Sequence, residues 1–358
     1  MVPVYVGRLT LLVLSLRRQW TALGLMALGV FGLGDVGLWL LGAATPVSLT
    51  IALDVAPGEL AVNSLTKTIV MTSPGSNVVT FFDGDKQTVI GTTAIRDDAA
   101  LAIALNPQAD RVYVTSFRGH VWVLNGARGT VLDDISVGKY PLGLAVNPAT
   151  GRVYATSSDQ SSVAVIDGAS DAVINTIKVG LNPVGVAVNP VTGRVYVANM
   201  YGNSVSVLDG AYGRVLTTIP VGQSPAQVAV NPKTDRVYVT NHQDGTVSVL
   251  DGASDRVLST VAVGADPRAV VVNSATNRVY VADDATSTVT VLDGSTSRLL
   301  TKLAVGRDPA AMTVNGVTNR VYVANSGSDA ISVIQDRHFG LPQTGLPPPT
   351  LPATATEQ

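Results

Sequence analysis

An Arg-Val-Tyr triplet recurs six times at nearly constant spacing, beginning at Arg111, Arg152, Arg194, Arg236, Arg278 and Arg320. The gaps are 41 residues once and 42 four times, and a worn seventh copy, Thr68-Ile69-Val70, stands 43 residues before the first. A period of about 40–45 residues is the length of one four-stranded propeller blade. Blades bury their faces only against neighbouring blades, so seven such units make one repeat domain. The expected fold is all-β: a seven-bladed β-propeller of four-stranded antiparallel blades across residues 45–338. Residues 1–44 and 339–358 fall outside the repeat.

One unit shows how a blade is read. Val184–Val188 is an apolar first strand, followed by a turn rich in breakers, Asn189-Pro190-Val191-Thr192-Gly193. Arg194–Ala198 is the second strand, Ser204–Leu208 the third, and Val215–Val221 the fourth after Asp209-Gly210. Asp-Gly recurs at Asp83, Asp167, Asp209, Asp251 and Asp293, with Asn125-Gly126 standing in once. Glycine there is expected to accept a positive φ, and Asp or Asn to bond the turn backbone. The triplet Arg opens strand two and the Asp closes strand three, which places Arg152 opposite Asp167, Arg194 opposite Asp209, Arg236 opposite Asp251 and Arg278 opposite Asp293. A ring of cross-strand ion pairs is expected. Five residues after each Arg stands a short polar side chain (Ser116, Ser157, Asn199, Asn241, Asp283, Asn325), expected to close its loop onto its own amides.

First strands converge on the propeller axis, and the small residues Gly143, Gly185, Ala269 and Ala311 suit that crowding, with Gln227 the exception. The last unit ends after its third strand, Ala330–Ile334. Val47–Val55 is a strand with no blade of its own. It is expected to supply the missing outer strand of the seventh blade and so remove an exposed edge.

Arg236-Val-Tyr-Val-Thr-Asn241 resembles the signature of the YVTN β-propeller repeat family. Close variants stand at Arg111–Ser116, Arg194–Asn199, Arg278–Asp283 and Arg320–Asn325, with Asn-Pro at Asn147, Asn189 and Asn231 and Val-Gly at Val137, Val179, Val221, Val263 and Val305. The resemblance covers about Val47 to Asp336. It implies a seven-bladed propeller, usually exported, in bacterial periplasmic and archaeal surface-layer proteins, most of them binding modules. Related propellers include the haem d1 domain of nitrite reductase and lactonase or lyase enzymes, so the resemblance carries a fold more firmly than a function.

Outside the repeat, Arg8, Arg17 and Arg18 precede an apolar run from Trp20 to Ala44 that ends in small residues. That order reads as a secretory signal peptide, with an uncleaved membrane anchor as the competing reading. Asp35 within the run favours the signal. Residues 339–358 are rich in Pro and Thr and are expected to form an extended tail. The tail segment Leu341-Pro342-Gln343-Thr344-Gly345 matches a sortase signal, but no apolar helix or basic terminus follows.

Composition narrows the function. Charged residues are 14% and the net charge is −2, which leaves no basic field for nucleic acid. Cysteine is absent, so disulfides, thiolate metal sites and a Cys nucleophile are excluded. His120 and His242 sit in equivalent loops three blades apart, facing each other across the channel mouth at best. With no HxH or HxxxH spacing, no metal or other cofactor is expected.

The loops joining strands two and three share a face with the segments joining blades, and they vary most between copies. Variation marks either a private function or drift. Candidate ligand-binding residues on that face are Arg118, His120, Tyr140, Asn182, Tyr201, His242, Asp244, Arg268, Asp284 and Arg307. Asp97-Asp98 belongs to the same set of segments. The expected function is that of an exported, monomeric binding module for a protein, glycan or small ligand, touching membrane only through its N-terminal segment. The alternative is a lactonase- or lyase-type enzyme with acid and base residues in those loops.

Overall fold

The computed structural model describes residues 47–96 and 99–336. The signal or anchor segment, Asp97-Asp98, His338 and the Pro/Thr-rich tail lie outside the described residues.

Seven four-stranded antiparallel sheets form, each from consecutive strands except the last. Blade 1 holds β2 (Leu60–Val62) to β5 (Thr88–Ala94), and blade 2 holds β6 (Ala100–Asn106), β7 (Arg111–Ser116), β8 (His120–Asn125) and β9 (Val131–Ser136). Blades 3 to 6 repeat the pattern from β10 (Leu144–Val146), β14 (Pro183–Val188), β18 (Pro225–Asn231) and β22 (Pro267–Asn273). Blade 7 takes β26 (Pro309–Asn315), β27 (Arg320–Asn325) and β28 (Ala330–Gln335) from the end of the chain and β1 (Val47–Ala52) from its beginning. β1 runs antiparallel to β28, with Thr50 opposite Ser332 and Ile51 opposite Ile331. The expected closing strand is present, three residues shorter than its sequence limits. The seven first strands contact one another in sequence around the axis, and β26 meets β2 to shut the ring.

The core lies between blades. Each of seven apolar clusters joins the second and third strands of one blade to the facing sheet of the next. The tyrosine of the triplet is the largest piece in most of them: Tyr113, Tyr154, Tyr196, Tyr238 and Tyr280 are fully buried. Alternation on a strand that is covered on both faces explains why the triplet is apolar beyond its first residue.

The register between strands two and three is as expected: Arg152 lies opposite Asp167, Arg194 opposite Asp209, Arg236 opposite Asp251 and Arg278 opposite Asp293. The ion pairs are not there. Each Asp instead accepts amide hydrogens from its own turn, as Asp209 does from Ala211 and Tyr212 at 2.9 and 3.1 Å. Amide donation from Ser254 holds the Asp251 carboxyl below the usual carboxylate range. The arginines turn away and reach the next blade. Arg194 donates to the Gly252 carbonyl and to Asp255, both at 2.5 Å, and Arg236 donates to the Gly294 and Ser295 carbonyls. Arg111 pairs with Asp171, Arg152 with the Gly210 and Ala211 carbonyls, and Arg320 approaches Asp85 of blade 1 at 3.6 Å. A guanidinium has five donors in a fixed fork and serves carbonyls as well as carboxylates. The side chain is therefore a latch between blades.

The Asp-Gly glycines also differ from expectation. None of the five has a positive φ; the left-handed residue comes later in the turn, at Gln87, Asp171, Gly213, Asp255 and Ser297. Glycine is needed for close approach. A Cβ on Gly210 would lie 2.4 Å from the Gly193 carbonyl and 2.7 Å from the Tyr154 hydroxyl of the preceding blade. The Tyr154 hydroxyl itself donates to the Gly210 carbonyl at 3.2 Å. Gly210→Ala is thus expected to destabilise by about 1–3 kcal/mol in urea unfolding, as overpacking does. Gly316→Ala, where nothing lies within 4 Å of an added Cβ, is expected to be near neutral.

The short polar side chains after the triplets mostly serve a different partner from the one expected. Asn199 donates to the hydroxyls of Ser204 and Ser206, and Asn241 to those of Thr246 and Ser248. Asp283 alone accepts from loop amides, those of Asp266 and Thr286. The Val-Gly glycines make room for them: a Cβ on Gly180 would come within 2.6 Å of the Asn199 amide group.

Candidate functional site

One end of the ring is built from the loops between strands two and three and the segments that enter each blade. The same hydrogen bond ties the two together around the face. Phe117 N–H donates to the Ala99 carbonyl, Ser158 to Tyr140, Met200 to Asn182, His242 to Ser224, Asp284 to Asp266 and Ser326 to Asp308. Accepting this bond uses a left-handed residue in four of these segments, Tyr140, Asn182, Ser224 and Asp308. The result is a platform tied by the same backbone bond in six blades, with side chains that differ between them.

Blades 2 to 4 present large apolar side chains there. Phe117 and Tyr140 meet edge to face with ring centroids 4.8 Å apart, and Leu142, two residues after Tyr140, is also exposed. Leu181 and Tyr201 continue the arc, 63% and 71% exposed. Arg118 is exposed next to Phe117. Asn182 spends its backbone on the platform bond.

Blades 5 to 7 present charge. His242 Nδ1 pairs with Asp266, whose other oxygen accepts from Arg268 at 3.2 Å, and Arg268 also reaches Asp284 at 3.1 Å. Burial pushes the Asp284 carboxyl above the usual range, against the pull of Arg268. Asp244 accepts the Gln223 amide at 2.6 Å, and Arg307 is exposed, with its amide bound to the Ser328 hydroxyl at 3.2 Å. Of the ten predicted residues, the structure brings His242, Arg268 and Asp284 together through Asp266. His120 is elsewhere. It opens β8, lies near Trp122 and is 3.7 Å from Asp134 on the outermost strand of blade 2, so the two histidines do not face each other over the channel. His242, Asp244 and Asp283 each close local contacts, whereas His120 Nδ1 is buried with no hydrogen-bond partner among the described residues. Among the described residues no group of three His, Cys, Asp or Glu side chains is placed to hold a metal ion.

The axial channel adds a residue that sequence reading missed. The register places Glu59, Ala102, Gly143, Gly185, Gln227, Ala269 and Ala311 at one level of the seven first strands. Their amides are handled alike: Glu59, Ala102, Gly143 and Gln227 each donate to a threonine of strand two, Thr72, Thr115, Thr156 and Thr240. Their side chains are not alike. Glu59 is the one acid of the ring, and it lines two adjoining cavities of about 180 and 280 Å³. The first follows the axis, walled by residues such as Leu60, Ile103, Leu144, Val186 and Met312. The second, at the starts of the first strands, opens toward the platform beside Pro74, Ala100, Leu142 and Ala310. Among the described residues the Glu59 carboxyl has no hydrogen-bond partner, and desolvation pushes its pKa up to about 7. The available signal is spacing: Glu59 stands nine residues before the worn triplet, as Ala102 and Gly143 stand before theirs.

That shift has a sign. An acid whose folded pKa is raised stabilises the fold below its unfolded pKa and loses the contribution as pH rises through the folded value. Relative to Glu59→Gln, the protein is expected to lose up to about 3 kcal/mol between pH 4.5 and pH 7, read from urea midpoints across that range.

No protein-family model matches the chain, and no curated protein matches it. The fold is similar to that of a chain in Kuenenia stuttgartiensis hydrazine synthase, with a TM-score of 0.71 over 84% of this chain and 99% of that one. Sequence identity is 18%, so the likeness is one of propeller fold.

Proposed function

We propose that this protein is an exported propeller of the YVTN type that works as a binding module. Its partner, protein or glycan, sits on the platform of inter-strand loops. The observation that carries this reading is the arc of Phe117, Tyr140, Leu142, Leu181 and Tyr201 exposed on three consecutive blades. Contiguous exposed apolar and aromatic side chains on a rigid support mark interaction surfaces. Tyrosine has few rotatable bonds, so holding it against a partner costs little entropy. The loop groups His242, Asp266, Arg268 and Asp284 are engaged with one another, which suits a recognition surface. Export rests on the order of Arg8, Arg17 and Arg18, the apolar run and Gly42-Ala43-Ala44.

The test is partner capture from the native envelope, in parallel with a glycan array, using the intact propeller and a Tyr140→Ala, Tyr201→Ala double variant. Binding that falls by tenfold or more in the variant supports the reading. A partner or glycan held equally by both proteins overturns the assignment to this arc.

A further inference from the structure

We propose that the axial channel binds an alkylammonium group, from a small primary amine or from a lysine side chain, with Glu59 as its counter-charge. The repeat is the first argument. At the level of Glu59 five of the seven blades carry Gly or Ala, and blade 5 carries Gln227, the neutral isostere of glutamate. Blade geometry is therefore met without an acid, and Glu59 serves something other than the fold. The second argument is chemical complementarity. The side chains lining the two cavities are mostly aliphatic, the exposed lining of the second is mainly apolar and that of the first mainly polar, and Glu59 is the one charged residue among them. A cation on an aliphatic stem satisfies both features at once.

Other ligands fit less well. A divalent cation takes about six or more oxygen ligands, and this level offers one carboxyl and one amide side chain. A quaternary ammonium calls for aromatic walls, and neither cavity has an aromatic residue. An anion would face the carboxylate. The charged group next along the lining strands, Arg268, precedes Ala269 and is held by Asp266 and Asp284.

Pairing requires Glu59 ionised, while an alkylamine stays protonated to about pH 10. Affinity for the cation should therefore weaken about tenfold per pH unit below the Glu59 midpoint. This inference goes beyond the platform reading. Loss of partner capture and loss of amine binding are separate readouts, so either can fail alone.

The experiment titrates the intact propeller with n-butylammonium chloride, with an acetylated Gly-Lys-Gly amide, and with n-butanol as the neutral isostere, at pH 8 and pH 6. Carboxyl carbon NMR of Glu59 follows its titration midpoint in the unaltered protein. The expected result is saturable binding of butylammonium, the lysine peptide or both. It should be weaker at pH 6 and at least tenfold weaker in Glu59→Gln, with the Glu59 midpoint falling when the amine is bound. Binding of butylammonium alone assigns the site to small amines, and binding of the peptide assigns it to lysine side chains. An unmoved midpoint at millimolar amine, equal binding of n-butanol, or equal binding by a folded Glu59→Gln protein overturns the proposal.

Discussion

Deleting residues 45–53 is expected to cost the propeller about 5 kcal/mol or more and to make it aggregate. β1 gives β28 its only outer partner, and the ladder between them contributes about 1 kcal/mol for each of several hydrogen bonds. Ile51 is buried in the cluster that joins blade 7 to blade 1, worth about 1.5–3 kcal/mol more. Without β1, β28 becomes an unprotected edge carrying Ile331 and Val333, a template for pairing with another chain. Urea unfolding and size-exclusion chromatography of the truncated protein read both effects. A truncated protein that stays monomeric with an unchanged urea midpoint would mean that β1 adds nothing to closure.

Asp336→Ala is expected to destabilise by about 3–5 kcal/mol, the cost of leaving a buried charge without its partner. Asp336 ends blade 7, and its side chain is fully buried against Arg278 at 2.8 Å, Asn273 at 2.7 Å and the Thr276 hydroxyl. The reason is topological. Every other latch arginine reaches the hairpin between strands three and four of the next blade. Blade 7 has no such hairpin, because its fourth strand comes from the other end of the chain. Asp336 supplies the acceptors that the missing turn would have provided. The sign is specific to breaking the pair: an Asp336→Leu, Arg278→Met double variant should recover part of the loss, since an apolar pair of similar volume is often tolerated. Denaturant midpoints of Asp336→Leu, Arg278→Met and the double variant check this, and additive losses would contradict the pairing.

How much of this was legible follows from what a period encodes. Spacing and register are local and repeated, so the seven blades, the alignment of Arg194 with Asp209 and a closing strand within Val47–Val55 for blade 7 were all readable. The target of the Arg194 side chain was not. Its partner Asp255 is 61 residues away, and its position depends on the rotation between blades, which strand pairing does not contain. Asp336 was hidden for a related reason: as the residue after the last strand it looks like the start of a tail. The loop candidates were a list without geometry. Nothing in sequence said that His242 and Arg268 would share Asp266, or that His120 would turn outward toward Asp134. Glu59 escapes the signature because its blade has Thr68 where the others have arginine, so no intact triplet marks its first strand.

Closure of the ring by the start of the chain is the claim on which the blade count, the platform and the channel all depend. The protein has no cysteine, so a Thr50→Cys, Ser332→Cys variant carries one possible disulfide. Residues directly opposite in an antiparallel pair lie within disulfide reach. Mild oxidation of dilute protein, followed by mass spectrometry of the proteolysed chain, should find the two cysteines linked within one molecule. A Thr50→Cys, Ser206→Cys variant, with the second cysteine in blade 4, should stay reduced. No intramolecular link at Ser332→Cys, or equal linking to Ser206→Cys, would contradict the closed seven-bladed ring.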